Sequence, residues 1–211
     1  MKIGVLGAGQ MAEALVPHWL EAGHDVLIGG RTVPNAIALA KRLGARGGGL
    51  REAAQFGDVV VLAVLHGGID ATLRQAGAPD GTLAGKPLLD CNNPVETERF
   101  TLDSRTGSSL AQQVSDSTGA LVVKGLNLVH AEVWKQRARY HGQPLVVPIA
   151  GEDAAKEPVA ALVRDLGAEP LDAGGLEQAQ HLEAMAAVII RLLFGGADEL
   201  SAFQLEVGAR P

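Results

Sequence analysis

The sequence has 211 residues, 47% hydrophobic and 20% charged, with a formal net charge of −6 and one cysteine. A chain of this length buries a core without staples. Its acidic balance excludes a protein-wide basic field for nucleic acid, and the lone Cys91 excludes an internal disulfide, which points to a reducing, cytoplasmic setting.

Lys2–Leu6 reads as a short buried strand and Met11–Ala22 as a helix, with Met11, Leu15, Trp19 and Leu20 near one side and Gly23 ending it. Asp25–Ile28 is a second strand, and Asn35–Leu43 a second helix stopped by Gly44. Val59–Leu65 is a continuous β-branched run, the pattern of a strand covered on both faces. Pro87–Cys91 and Leu121–Lys124 are further strands. Glu96–Ser109 is polar and reads as a loop opening into a helix over Ser109–Thr118. From Gln143 the pattern continues with a strand at Leu145–Ala150 and an amphipathic helix over Asp153–Leu166, with Asp153 as its N-cap. A strand at Glu169–Asp172 and a long helix over Leu176–Phe194 follow. That last helix is nearly all apolar from Leu182 to Leu193, so burial on several sides is expected, within the chain or against a second copy. Arg191 interrupts its apolar stretch, which is too short for a membrane span. The alternation predicts an α/β, Rossmann-type doubly wound, mostly parallel sheet. Residues 1–142 form its core and residues 143–211 an extension of added C-terminal βα units within one nucleotide-binding domain.

Gly7-Ala8-Gly9-Gln10-Met11-Ala12 follows the first strand and opens the first helix. This is G-x-G-x-x-G/A in its proper context. Gly7 permits the tight turn, Gly9 lets backbone approach a pyrophosphate, and the helix N-terminus faces the anion. The second strand ends Ile28-Gly29-Gly30-Arg31-Thr32, without the carboxylate that holds both ribose hydroxyls in NAD sites. Gly30 leaves room for a 2′-phosphate, Arg31 can grip it bidentately, and Thr32 and Asn35 can donate further hydrogen bonds. The expected cofactor is therefore NADP(H). Ala63, Val64 and Leu65 after the third long strand, Asn92, Asn93 and Pro94 after the next, and Asn127 with His130 after the next should border the nicotinamide ribose and ring.

No Ser-His-Asp spacing, H-E-x-x-H or clustered Cys/His set is visible, so no metal is expected. His66 follows a strand end on the ligand side; it either touches substrate or sits in a solvated loop. Lys124, also at a strand end, faces either an anionic substrate tail or solvent, and Cys91 reads as inert packing.

The segments IGVLGAGQMAEAL, GHDVLIGGRT, DVVVLAVL, LLDCNNPV and VVKGLNLV, with LVVPIAGEDAAKEPVAALVRDLGAEPLDAGGLEQAQHLEAM later, resemble the NADPH-dependent coenzyme F420 reductase family over nearly the whole chain. The N-terminal half of the pattern is shared with pyrroline-carboxylate reductases and the NADPH domains of ferric reductases. The resemblance implies hydride transfer between the nicotinamide and a deazaflavin, F420, as co-substrate. By position it carries Gly7, Gly9, Gln10 and Met11 to the diphosphate loop, and Arg31 and Thr32 to the 2′-phosphate pocket. It likewise carries Asn93 and Pro94 to the Asn-Pro turn and Asn127 to the nicotinamide. Two stacked cofactors transfer hydride directly, without a side-chain acid or base. The sequence departs from the family at Gly30, Asn35 and Leu65-His66-Gly67-Gly68, where serine, a basic residue and a proline are common. Reduction of a small imine, carbonyl or ferric chelate, and a non-catalytic NADP(H) redox sensor, are the alternatives. A homodimer closed through the last helix is expected.

Overall fold

The computed structural model describes residues 1–96, 98–103, 107–135, 139–140 and 142–198. Eight strands form one sheet: β1 (Lys2–Leu6), β2 (Asp25–Gly30), β3 (Arg46–Gly49), β4 (Val59–Leu62), β5 (Pro87–Asp90), β6 (Leu121–Lys124), β7 (Val146–Gly151) and β8 (Glu169–Asp172). Their order is β8-β7-β6-β5-β4-β1-β2-β3. The β3-β2-β1-β4-β5 portion is the Rossmann order, parallel throughout. One cluster of buried side chains joins Ile3, Val5, Val26 and Val61 of the sheet to α1 (Gln10–Glu21), α2 (Val33–Leu43) and α7 (Asp153–Asp165). A second joins Leu6, Leu27, Val60 and Leu88 to α3 (Leu50–Phe56), α4 (Ile69–Gln75) and α5 (Leu110–Thr118). The two clusters use alternate residues of the strands, as a doubly covered sheet requires.

Three elements escape the sequence-based expectation, one of them because glycine hides it. β3 reads Arg-Gly-Gly-Gly and carries no β-branched residue. At Gly47 a Cβ would sit 2.6 Å from the Cα of Ile37, so α2 packs on bare backbone here. The seven-residue helices α3 and α4 are too short for a clear 3.6-residue period. The run expected as a strand to Leu65 leaves the sheet after Leu62, because Asn92 Oδ1 accepts the Val64 N–H at 3.0 Å.

The C-terminal units extend the same sheet, but β7 runs antiparallel to β6, pairing Ala150 with Lys124 and Gly151 with Val123. A Cβ on Gly151 would lie 2.2 Å from the Val122 carbonyl oxygen, so this approach requires glycine. Glu152, not Asp153, occupies the N-cap of α7, without a side-chain cap bond; Asp153 instead pairs with Lys156 at 2.8 Å. The extension is bolted to the N-terminal half: Trp19 Nε1 donates to the Leu162 carbonyl at 3.1 Å, and His24 pairs with Asp165 at 2.7 Å.

The last helix begins as a 3-10 turn, Leu176–Gln178, and continues as α8 (Ala179–Phe194). Leu182, Ala186 and Ile189 are buried with Leu128 and Ala150. Outside that cluster Val188, Leu192 and Phe194 are exposed in the single chain. In the stretch expected to be a loop, Val95–Glu96 pairs antiparallel with Thr101–Leu102. Thr97, residues 104–106 and the extension beyond residue 198 lie outside the described residues. No described helix is long and apolar enough to cross a membrane.

Candidate functional site: a nucleotide cleft at the carboxyl edge of the sheet

The carboxyl ends of β1, β2, β4 and β5 open into a cleft of about 960 Å³. The turn after β1 is fixed by sterics. Gly7 has φ 133°, donates to the Gly29 carbonyl at 2.9 Å, and would put a Cβ 2.1 Å from the Ala63 carbonyl oxygen. Gly9 is the N-cap of α1, makes no side-chain cap bond, and its Cβ position meets nothing within 4 Å. The first turn of this twelve-residue helix thus has no capping side chain and borders the cleft through Gly9, Gln10 and Met11, the kind of cradle a diphosphate fills. Gly7, Ala8, Gly9, Gln10 and Met11 all line the cleft.

Gly30, Arg31, Thr32 and Asn35 line its other end. Thr32 is the N-cap of α2 and also makes no side-chain cap bond. The Arg31 guanidinium lies over the loop after β4, 3.8 Å from the Cβ position of Gly68. No carboxylate lines the cleft among the described residues, which fits a phosphate beside Arg31 and disfavours a bare ribose diol there.

Ala63, Val64, Leu65 and His66 after β4 and Asn92 and Asn93 after β5 also line the cleft. Asn92 acts as a clamp: Oδ1 holds Val64, while Nδ2 donates to the Leu62 carbonyl at 3.0 Å and to Asp90 Oδ1 at 2.7 Å. Asn127 and Pro94 do not line the cleft. Asn127 stands behind Asn93, donating to its Oδ1 at 2.9 Å and to the Leu182 carbonyl at 3.1 Å. Leu126 just before it adopts a left-handed backbone, φ 59°. That conformation costs about 1–3 kcal/mol and persists only where its surroundings enforce it.

Lys124 faces neither a substrate tail nor solvent. It is fully buried and reaches Asp90 at 2.7 Å, Glu183 at 2.9 Å and the Asn92 carbonyl at 2.7 Å. Burial pushes its ammonium toward deprotonation, but Asp90 and Glu183 outweigh that and hold it above the ordinary lysine value. Glu183 also accepts the Leu110 and Ala111 N–H groups at the start of α5, at 2.9 and 3.1 Å. Cys91 lines the cleft, yet burial, and then the Asp90 charge, push its thiol well up, so it is a neutral apolar wall rather than a nucleophile.

His66 Nε2 lies 3.0 Å from Asp103 Oδ2. His130 caps α6 (Ala131–Trp134), its Nδ1 accepting the Glu132 N–H at 3.4 Å. Leu50, Thr72 and Ala131 are lining residues that sequence reasoning missed. Nothing in their local pattern marks them, because they reach the cleft only through the packing of α3, α4 and α6. No group able to hold a metal occurs among the described residues.

Comparison with known proteins bears on this geometry. Residues 2–94 match the family described as NADP oxidoreductase, coenzyme F420-dependent. A crystal structure from Arthrobacter sp. FB24, assigned as an F420-dependent NADP reductase, superposes with a TM-score of 0.83 at 30% identity, covering 94% of this chain and 96% of that one. The F420-dependent NADP reductase of Methanothermobacter marburgensis is 24% identical over 91% of this chain and 92% of its own length. The metalloreductase STEAP3 of Rattus norvegicus is 31% identical over 87% of this chain, which spans 36% of that longer protein.

Proposed function

The chain belongs to the coenzyme F420-dependent NADP oxidoreductase family and is an NADP-binding oxidoreductase, and from that premise we propose that it passes a hydride between NADP(H) and a deazaflavin, F420. The observation that carries the nucleotide half is the acid-free end of β2, where Arg31, Thr32 and Asn35 meet the N-terminus of α2. Gly7, Ala8, Gly9, Gln10 and Met11 would hold the diphosphate, Gly30, Arg31, Thr32 and Asn35 the 2′-phosphate, and Ala63, Val64, Leu65, Asn92 and Asn93 the nicotinamide riboside. Asn127 would support Asn93 from behind. The bound nicotinamide supplies the redox chemistry. The protein supplies orientation and a wall that keeps water away, formed by Cys91, Ala63 and Val64.

The acceptor half rests on the loop after β4. Exposed Leu65 offers an apolar platform there, and no carboxylate would repel an electron-rich ring. The same reading includes a homodimer through α8 and a cytoplasmic location. The ferric-chelate alternative has one observation in its favour, the 31% identity to a metalloreductase.

The test is NADPH oxidation by the purified protein, followed by nicotinamide absorbance, with F420, FMN, a ferric chelate and a cyclic imine each offered in turn. Turnover with F420 in clear excess over the others is expected. Tight NADPH binding with turnover on another acceptor would replace the deazaflavin assignment. Binding without turnover on any of them would leave the sensor reading.

A further inference from the structure

We propose that α8 positions the nicotinamide end of the cleft: its adjacent residues Leu182 and Glu183 hold Asn93 and Asn92 through two separate polar relays, and so set the affinity for the nicotinamide half of the nucleotide. This rests on the reading above that Asn92 and Asn93 border the nicotinamide riboside. The positioning residues are Asn127, Lys124 and Glu183, none of which lines the cleft.

The first relay runs through amides. Asn127 Nδ2 donates to the Leu182 carbonyl at 3.1 Å and to Asn93 Oδ1 at 2.9 Å. Asn93 Nδ2 donates back to the Asn127 carbonyl at 2.8 Å. Both orientations are forced. A backbone carbonyl only accepts, so Asn127 turns Nδ2 to Leu182 and Asn93 turns Nδ2 to Asn127. The pairing leaves Asn93 with one N–H and one oxygen lone pair that no described residue uses, on a half-buried side chain that lines the cleft. A donor and an acceptor side by side are what a primary carboxamide or a ribose hydroxyl requires. The bonds of Asn127 also hold the left-handed backbone of Leu126, a conformation kept only where its neighbours enforce it.

The second relay runs through charge. Glu183 Oε1 lies 2.9 Å from Lys124 Nζ. Lys124 directs its other N–H groups to Asp90 Oδ2 and to the Asn92 carbonyl, both at 2.7 Å. Asp90 Oδ1 accepts the Asn92 backbone N–H at 3.0 Å and Asn92 Nδ2 at 2.7 Å. With Nδ2 also on the Leu62 carbonyl and Oδ1 on the Val64 N–H, every polar group of Asn92 is engaged. Asp90, Lys124 and Glu183 are all buried, and in such surroundings each bond is strong and each broken bond costly. Asn92 is therefore fixed, and Asn93, the next residue, starts from a fixed point. The two relays leave α8 one peptide apart and arrive at neighbouring asparagines, so a displacement of α8 moves both.

The test separates the two halves of the nucleotide. NADPH and adenosine 2′,5′-bisphosphate, which carries the 2′-phosphate but no nicotinamide, are titrated calorimetrically into the wild type, Asn93→Ala, Asn127→Ala, the double variant and Glu183→Gln. Asn127→Ala and Glu183→Gln should each weaken NADPH by about three- to tenfold, the equivalent of one hydrogen bond, and leave the bisphosphate within about twofold. In the Asn93→Ala background, Asn127→Ala should weaken NADPH no further, because it acts through Asn93. Amide hydrogen exchange of the wild type reads the same coupling in reverse, since coupling between sites is reciprocal. NADPH should slow exchange at Leu110 and Ala111, whose N–H groups Glu183 accepts, more than the bisphosphate does. Each ligand is supplied at the same multiple of its dissociation constant, which equalises global stabilisation. Equal weakening of both ligands, additive losses in the double variant, or equal protection at Leu110 and Ala111 would overturn the positioning role while leaving the nucleotide site in place. Failure of the wild type to bind either ligand would overturn the nucleotide reading and this inference with it.

Discussion

On the proposed function, Arg31 is the residue on which nucleotide choice would turn. It lies over the Gly68 backbone with no acidic partner among the described residues, so a bound 2′-phosphate would replace water rather than break an ion pair. A charge-assisted contact of this kind contributes about 1.5–3 kcal/mol, or roughly 10- to 100-fold in affinity. Arg31→Ala should weaken NADPH binding by that factor in calorimetric titration and leave NADH binding almost unchanged; equal losses for both nucleotides would remove Arg31 from the phosphate site. Gly7→Ala tests the turn itself. A methyl group 2.1 Å from the Ala63 carbonyl, at φ 133°, cannot be accommodated without moving β1 from β4. The variant should lose nucleotide binding and melt well below the wild type, by the equivalent of about 3 kcal/mol or more. These positions were legible in the sequence because the turn, the glycines and the missing carboxylate are contiguous in the chain. Lys124 was not. A lysine closing the apolar run Leu-Val-Val looks solvent-bound until Glu183, 59 residues later, is brought against it.

At the level of elements, the Asp90–Lys124–Glu183 cluster ties three parts together: β5 and β6, the start of α5, and α8. Through Asn92 it reaches the backbone of Val64 in the cleft wall. Buried ion clusters add little net stability, but removing one member leaves uncompensated charge and costs about 3–5 kcal/mol. Lys124→Met should therefore lower the urea midpoint strongly at neutral pH; a midpoint within error of the wild type would show the cluster to be relaxed by water. The wild-type pH dependence has a definite sign. The folded-state value of Lys124 is raised, so its contribution is complete below the ordinary lysine value of 10.5 and is lost as pH rises through the higher folded-state value. Periodicity identified the long helices and the β-branched strands. It was blind to β3, whose Gly47 lets α2 approach, and to the reversal of β7, because an apolar pattern reads the same in either strand direction.

At the scale of the whole molecule, the exposed apolar face of α8 is the feature a monomer does not account for. Phe194 packs on Phe100 at 5.1 Å between ring centroids, but Val188 and Leu192, one turn apart, are 61% and 48% exposed on a helix whose other side is packed. The proposed homodimer would cover them. Light scattering should return twice 21.8 kDa, and Leu192→Glu should return the monomer; a monomeric wild type would discard the dimer.

The reversal of β7 also decides where the field of α7 falls. Because β7 runs against its neighbour, α7 starts at the rim of the sheet opposite the nucleotide. Its partial positive charge, which acts only within the first turn, therefore does not reach the phosphates. The anion-binding potential belongs to the helices that follow the parallel strands. The preference for a phosphorylated nucleotide would accordingly stay with the first third of the chain, while units beyond β6 tolerate redesign only where Glu183 of α8 is kept against Lys124 and the Trp19 and His24 contacts to α7 are kept.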